Sequence, residues 1–328
     1  MVGRCGLFKN ALHRKRGWQR IMEQQILVGS TGFVGANLLA KHPFDKALHS
    51  TDIAEAFGGN NNGLVVYAGV PAAMFLANSD PAADLAVMQA ARENLRRINA
   101  KKTVLISSIA VYADSRGKTE ADDPAGEGLA PYGANRLQLE KWVREDHPDA
   151  LIVRLPALYG IHLKKNFLYD LHTITPAMLR EEKYRELAAR CELVEKGYSP
   201  AENGFYKLNG SVSGTALREW FAAQSFNALA FTDSRSRYQF YDLGRLWGDI
   251  EACLQNDLRL VNLTTPPVSA AKVYTALTGK TWKNELDRAP FDYDLRSLYA
   301  GQLGGQGGYL CSEEDELRDI RTFMEEWT

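Results

Sequence analysis

Short apolar runs, nearly unbroken, alternate along the first half of the chain with longer stretches in which apolar residues return every three or four positions. Runs at 26–28, 64–69, 103–108 and 150–155, with a shorter one at 46–50, predict strands buried on both faces. Between them the pattern predicts helices at 36–40, 81–100 and 133–145, and a small one from Asp52. Strands alternating with helices specify a doubly wound α/β fold with a parallel sheet. Beyond residue 160 the regularity fails. The expectation there is a charged helical stretch at 176–196, a glycine-bearing loop at 197–215, helices at 216–224, 243–255 and 268–277, and a strand at 259–263. Such a second half suits a smaller, mixed α/β lobe.

The first apolar run leads straight into Gly29, Gly32 and Gly35, with Thr31, Phe33 and Val34 set among them. Strand, glycines three apart and helix together form the context in which such a loop binds a dinucleotide. One glycine permits the tight turn, one lets backbone approach a pyrophosphate, and one lets helix pack closely on strand. Amides and partial positive charge at the helix N-terminus favour the diphosphate. Ala68 and Gly69 end the next buried strand, where backbone can pass close to a cofactor. Little chain separates that strand from the one before it, so the first nucleotide-binding half is abbreviated. The chain thus divides into a basic extension at 1–21, a dinucleotide-binding domain at 22–160 and a mainly substrate-binding lobe at 161–328, of which 216–265 partly returns to the core.

Composition narrows the picture by exclusion. The 328 residues carry a net charge of −1, which gives no global attraction to nucleic acid or membrane. Four cysteines, Cys5, Cys191, Cys253 and Cys311, are scattered without metal-ligand spacing, and suit free thiols in a reducing cytoplasm; no metal site is expected. No apolar run approaches the roughly 18 to 20 residues that span a bilayer. Residues 1–21 contain six basic and no acidic side chains. They suit a transit-like or nucleic-acid-binding tail, or an upstream extension of a reading frame whose working start is Met22.

Chemistry concentrates in Ser108, Tyr132 and Arg136. Ser108 ends a predicted strand, Tyr132 starts a predicted helix, and Arg136 lies one helical turn further on the same face. Such a trio serves redox exchange at a carbinol or ketone: the tyrosine exchanges a proton with the substrate oxygen, the serine hydrogen-bonds that oxygen, and the cation stabilises a tyrosinate. With 14 tyrosines and 39 basic residues the spacing also recurs by chance. Tyr112 with Arg116 is such a recurrence, and it has no serine at the right distance upstream.

The order of these segments resembles the extended short-chain dehydrogenases/reductases, specifically the NAD-dependent epimerase/dehydratase group acting on nucleotide sugars. The resemblance rests on Gly29 to Gly35, Ser107-Ser108-Ile109-Ala110-Val111-Tyr112, Tyr132-Gly133-Ala134-Asn135-Arg136, and Arg154 through Tyr159-Gly160; with Gln239–Leu243 and Val261–Leu263 added, it covers about residues 22–285. It implies a Rossmann sheet, with NAD or NADP held by the glycine loop, Ala68, Gly69, Pro156 and Arg136. It also implies Asp52 or its neighbours at the adenosine ribose, a sugar or diphosphate contact from Asn166 and Lys165, and a homodimer. The dimer would pair helices 81–100 and 133–145 through Leu85, Met88, Leu137 and Trp142. Three departures matter. Asp52 lies 17 residues after Gly35, near the distance of the group's ribose-binding acid, but His49, Ser50 and Thr51 could instead leave room for a 2′-phosphate, so NAD and NADP both stay open. The group's lysine is Arg136, which keeps the charge but is a fixed planar fork. The Asp-Glu pair of the group's dehydratases is replaced by Ile109 and Ala110, which disfavours dehydration and leaves epimerisation or reduction at a keto or hydroxyl carbon. The competing expectations are a dinucleotide-binding sensor or scaffold without turnover, and a nucleic-acid protein using the basic tail.

Overall fold

The computed structural model describes residues 24–58, 62–124, 128–201 and 204–327, so the basic extension at 1–21 lies outside the described residues. Its centre is a parallel six-stranded sheet of β1 (Gln25–Val28), β2 (Lys46–Leu48), β3 (Leu64–Tyr67), β4 (Lys102–Ser108), β5 (Leu151–Leu155) and a last strand, Leu260–Asn262. Their spatial order is Leu260–Asn262, β5, β4, β3, β1, β2. Successive side chains of a strand face opposite sides, and here both sides are covered. Leu27, Leu64, Val66, Val104, Leu151 and Val153 belong to one apolar core, while Ile26, Val28, Val65, Tyr67, Leu105 and Ile152 belong to another. Double burial explains why these strands read as unbroken apolar runs.

β2 and β3 are joined through a single 3-10 turn, Ala54–Ala56, rather than a full helix. β3 therefore lies directly beside β1, and the abbreviated first half is a property of the sheet. The switch in strand order falls between β1 and β3, where open α/β sheets place their ligands.

By its contacts the chain divides into two units. One comprises 1–162, 239–267 and 292–320; the other comprises 163–238, 268–291 and 321–328. The second unit has its own core of Leu179, Leu187, Val194, Tyr198, Leu217 and Phe221. It departs from the sequence expectation. The stretch 176–196 opens with a strand, Met178–Arg180, before helices Glu181–Ala188 and Glu192–Gly197. The expected loop at 197–215 holds strands Tyr198–Pro200 and Phe205–Leu208, which complete an antiparallel three-stranded sheet. Strands of three or four residues with one open face carry too few apolar positions for a period to register. The predicted helix at 268–277 likewise starts with a two-residue strand, Val268–Ser269, and Ser269 then caps the helix Ala270–Thr278.

Helices Pro81–Ile98 and Pro131–Asp146 pack on each other within the chain, and two of the four apolar side chains expected on a dimer face, Met88 and Leu137, are buried there. Met88 is fully buried in a sheet core, Leu137 is buried beside Ile109 and Leu295, and Leu85 and Trp142 pack against the same core as Met88. These side chains are used within the subunit. Among the described residues no helix is long and apolar enough to cross a membrane, and no cluster of metal-ligating side chains forms.

Candidate functional site

The turn after β1 is a backbone cradle that side chains would fill. Gly29 has φ +89°, and a Cβ there would stand 2.6 Å from the Ala68 carbonyl. A Cβ on Gly35 would stand 2.1 Å from the Gly29 oxygen, so helix Phe33–Lys41 starts in direct contact with the turn. Gly32 caps that helix and is exposed; no side chain caps the first amides, and the first turn has no acidic residue. Phe33 and Val34 are half-buried against the core, while Thr31 is exposed. Asn37 fixes the helix from its other side, donating to the carbonyls of Phe33 and Ile161 and accepting from the Ile161 amide. Open amides, a glycine floor and no competing carboxylate suit a diphosphate.

β2 ends at Leu48, whose carbonyl accepts from Gly29 and Ser30. The chain then turns, with the Asp52 amide donating to His49 and His49 Nδ1 2.7 Å from Thr51 Oγ1. Asp52 is exposed on this turn. Ser50 is the residue beside the end of β3: its Cβ lies 2.8 Å from where a Cβ on Gly69 would stand. Ala68 and Gly69 are half-buried just beyond β3, and Pro156 is half-buried just beyond β5.

The helix that carries Tyr132 and the turn that follows Ser108 meet in one close backbone approach. Gly133, next to Tyr132 in helix Pro131–Asp146, passes so near the turn after β4 that a Cβ would stand 2.0 Å from the Ala110 carbonyl. Ser108 ends β4, and its Oγ accepts from the Ala110 amide, leaving its proton to donate elsewhere. Tyr132 is 6% exposed, and its amide donates to Asn78 Oδ1.

Arg136 lies over the Tyr132 ring, its guanidinium carbon 3.8 Å from the ring centroid. It is 4% exposed and already engaged: Nη1 is paired with Asp84 and Nη2 donates to the Pro71 carbonyl at 2.6 Å. Asn135 donates to the same Asp84 oxygen at 2.9 Å. The sequence reading missed Asp84, because it sits on another helix 52 residues away and no local pattern marks it.

A second missed residue was within reach of the spacing. Glu140 continues the row Tyr132, Arg136 at intervals of four, on one face of the helix. It is 1% exposed, accepts from Ser107 Oγ at 2.6 Å and pairs with Arg154 Nη2 at 2.6 Å. Arg154 Nη1 in turn donates to the Tyr112 hydroxyl at 2.7 Å. Tyr112 is therefore a partner of Arg154, while Arg116 pairs with Asp114 on the surface.

In the second unit, Asn166 caps helix Phe167–Thr173, its Oδ1 accepting from Leu168 and Tyr169 at 2.9 and 3.2 Å. Lys165 precedes it, and burial holds its ammonium below the usual lysine range.

Residues 25–180 match the family model for the RmlD substrate binding domain. No curated protein matches the chain. Among solved structures it is similar to UDP-glucose 4-epimerase from Thermotoga maritima, determined with UDP-glucose (12% identity, 92% of this chain and 97% of that one, TM-score 0.59). It is also similar to dTDP-4-dehydrorhamnose reductase from Bacillus anthracis in complex with NADP (14%, 93% and 98%, 0.59). A third similar structure is an NAD-dependent NDP-hexosamine 5,6-dehydratase of tunicamycin biosynthesis (16%, 93% and 99%, 0.57). Three reactions on one fold leave the chemistry to be argued from side chains.

Proposed function

We propose that this chain is an NAD(P)-dependent oxidoreductase or epimerase acting at a keto or hydroxyl carbon of a nucleotide-linked sugar. The observation that carries the reading is the pairing of Tyr132 with the end of β4 through Gly133 and Ala110, beside an uncapped helix N-terminus with a glycine floor. The amides of Phe33 and Val34 and the backbone of Gly29, Gly32, Ala68 and Gly69 would hold the dinucleotide. When bound, it supplies or accepts a hydride at the substrate carbon.

The chain's own groups do the rest. Tyr132 exchanges a proton with the substrate oxygen, and Ser108, whose Oγ already accepts from Ala110, donates its hydroxyl proton to that oxygen. Burial of Tyr132 excludes water from one side of the exchange. Elimination would need an acid and a base where Ile109 and Ala110 stand, and Ile109 is buried among apolar side chains.

The direct test is calorimetric titration with NAD, NADH, NADP and NADPH, followed by a panel of UDP- and dTDP-linked sugars and keto sugars monitored by nicotinamide absorbance. Saturable binding of one cofactor pair and turnover that Tyr132→Phe lowers at least about a thousandfold support the reading. Cofactor binding with no turnover on any sugar would favour the sensor or scaffold instead.

A further inference from the structure

The strongest unused feature of the site is the carboxylate that reaches it from another helix. Where the resembling group carries a lone lysine, this chain carries a buried ion pair: Arg136, 4% exposed, against Asp84, whose side chain is 11% exposed. The pair is fixed on every side. Asn135 ties Asp84 to its own helix by donating to Asp84 Oδ2 at 2.9 Å and to the Pro81 carbonyl at 3.0 Å. The Pro71 carbonyl and the Tyr132 ring hold the guanidinium from two further directions. A planar fork held in this way is not a mobile point charge.

We propose that Asp84 is a positioning and specificity residue that neutralises Arg136 beside Tyr132 and thereby sets which redox form of the nicotinamide cofactor the site prefers. This rests on the reading of Tyr132 as the group that works next to the nicotinamide. The oxidised nicotinamide ring is cationic and the reduced ring is neutral, whereas the diphosphate is the same in both. A lone buried cation opposes the oxidised form selectively; a cation paired with a carboxylate does not. The charged groups on the elements around Tyr132 bear this out. Helix Met74–Ser79 and the turn Ile109–Val111 contribute none, helix Pro81–Ile98 contributes Asp84 within contact of Arg136, and Arg136's own helix contributes Glu140, which is consumed by Arg154.

The test is the ratio of dissociation constants, oxidised over reduced, for whichever cofactor pair the wild-type chain binds, measured by calorimetry at fixed salt. Asp84→Asn keeps the shape and the contact with Arg136 but leaves its charge uncompensated, so the ratio should rise roughly tenfold. Arg136→Gln leaves the carboxylate instead, and the ratio should fall below the wild-type value. Opposite movements are a signature that mere loss of packing cannot give, because packing loss weakens both forms alike. A ratio unmoved in both variants, or two variants that weaken both forms equally, overturns the role of Asp84 while leaving the dinucleotide reading intact. Failure of the wild-type chain to bind any nicotinamide cofactor overturns both. If thermal melts show that Asp84→Asn does not fold, Arg136→Gln and its predicted fall decide the matter.

Discussion

Gly29, Gly35 and Gly133 are each held by a different backbone neighbour, and none of them tolerates a side chain. At Gly35 the neighbour is the Gly29 carbonyl, at 2.1 Å from a built Cβ. Gly35→Ala must therefore push helix Phe33–Lys41 away from the turn. The expected result is a loss of about 1 to 3 kcal/mol in unfolding free energy by urea titration, with dinucleotide affinity lowered at least about tenfold. Gly133→Ala separates Tyr132 from the end of β4, and turnover should fall more than stability does. Asp52 gives the opposite expectation. It is exposed on a turn four residues past the end of β2, and Ser50 is the side chain beside Gly69. Asp52→Ala should change NAD affinity less than about threefold by calorimetry; a tenfold loss would return the ribose contact to Asp52.

At the scale of elements, the proposed pairing of Tyr132 with the end of β4 needs a strand and a helix clamped together. Glu140 does this from the middle of the Tyr132 helix, accepting from Ser107 on β4 and pairing with Arg154 on β5. Both charges are almost wholly buried, so removing one leaves the other uncompensated. Glu140→Ala should cost about 3 to 5 kcal/mol in a urea unfolding titration. A cost below about 1 kcal/mol would mean that the pair is not a clamp. The Tyr132, Arg136, Glu140 row was legible at intervals of four. Their partners Asp84, Arg154 and Pro71 were not, because each comes from a different element and nothing local to it announces the contact.

At the scale of the whole molecule, the buried carboxyl of Glu316 couples folding to pH. Glu316 accepts from the Phe240 amide and the Thr265 hydroxyl through Oε1, while Oε2 is buried with no hydrogen-bond partner among the described residues. Burial raises its ionisation to about 8 from an ordinary 4.5. Between those values the folded chain holds a proton that the unfolded chain has released, so stability falls as pH rises through that window, by at most about 1.4 kcal/mol per unit. Thermal melts should show a lower midpoint at pH 8 than at pH 5.5, and Glu316→Gln, which mimics the protonated form, should flatten the difference. A pH dependence that Glu316→Gln leaves unchanged would contradict a neutral Glu316.

By itself the sequence determined the parallel sheet, the glycine turn and the positions of Ser108 and Tyr132. Each of these is written locally: strands buried on both faces must be apolar throughout, a helix must follow its 3.6-residue period, and a backbone cradle must exclude side chains. The tertiary structure alone decided the short strands of the second unit, whose exposed faces carry no period. It also decided the fate of the helix surfaces. Met88 and Leu137 are apolar at positions that would serve a dimer or a core equally well, and only packing assigns them to the core. The same holds for Arg136. Its place one turn after Tyr132 was determined by helical geometry, but its charge was settled by Asp84, 52 residues earlier, because electrostatic partners are chosen by distance in space and not along the chain.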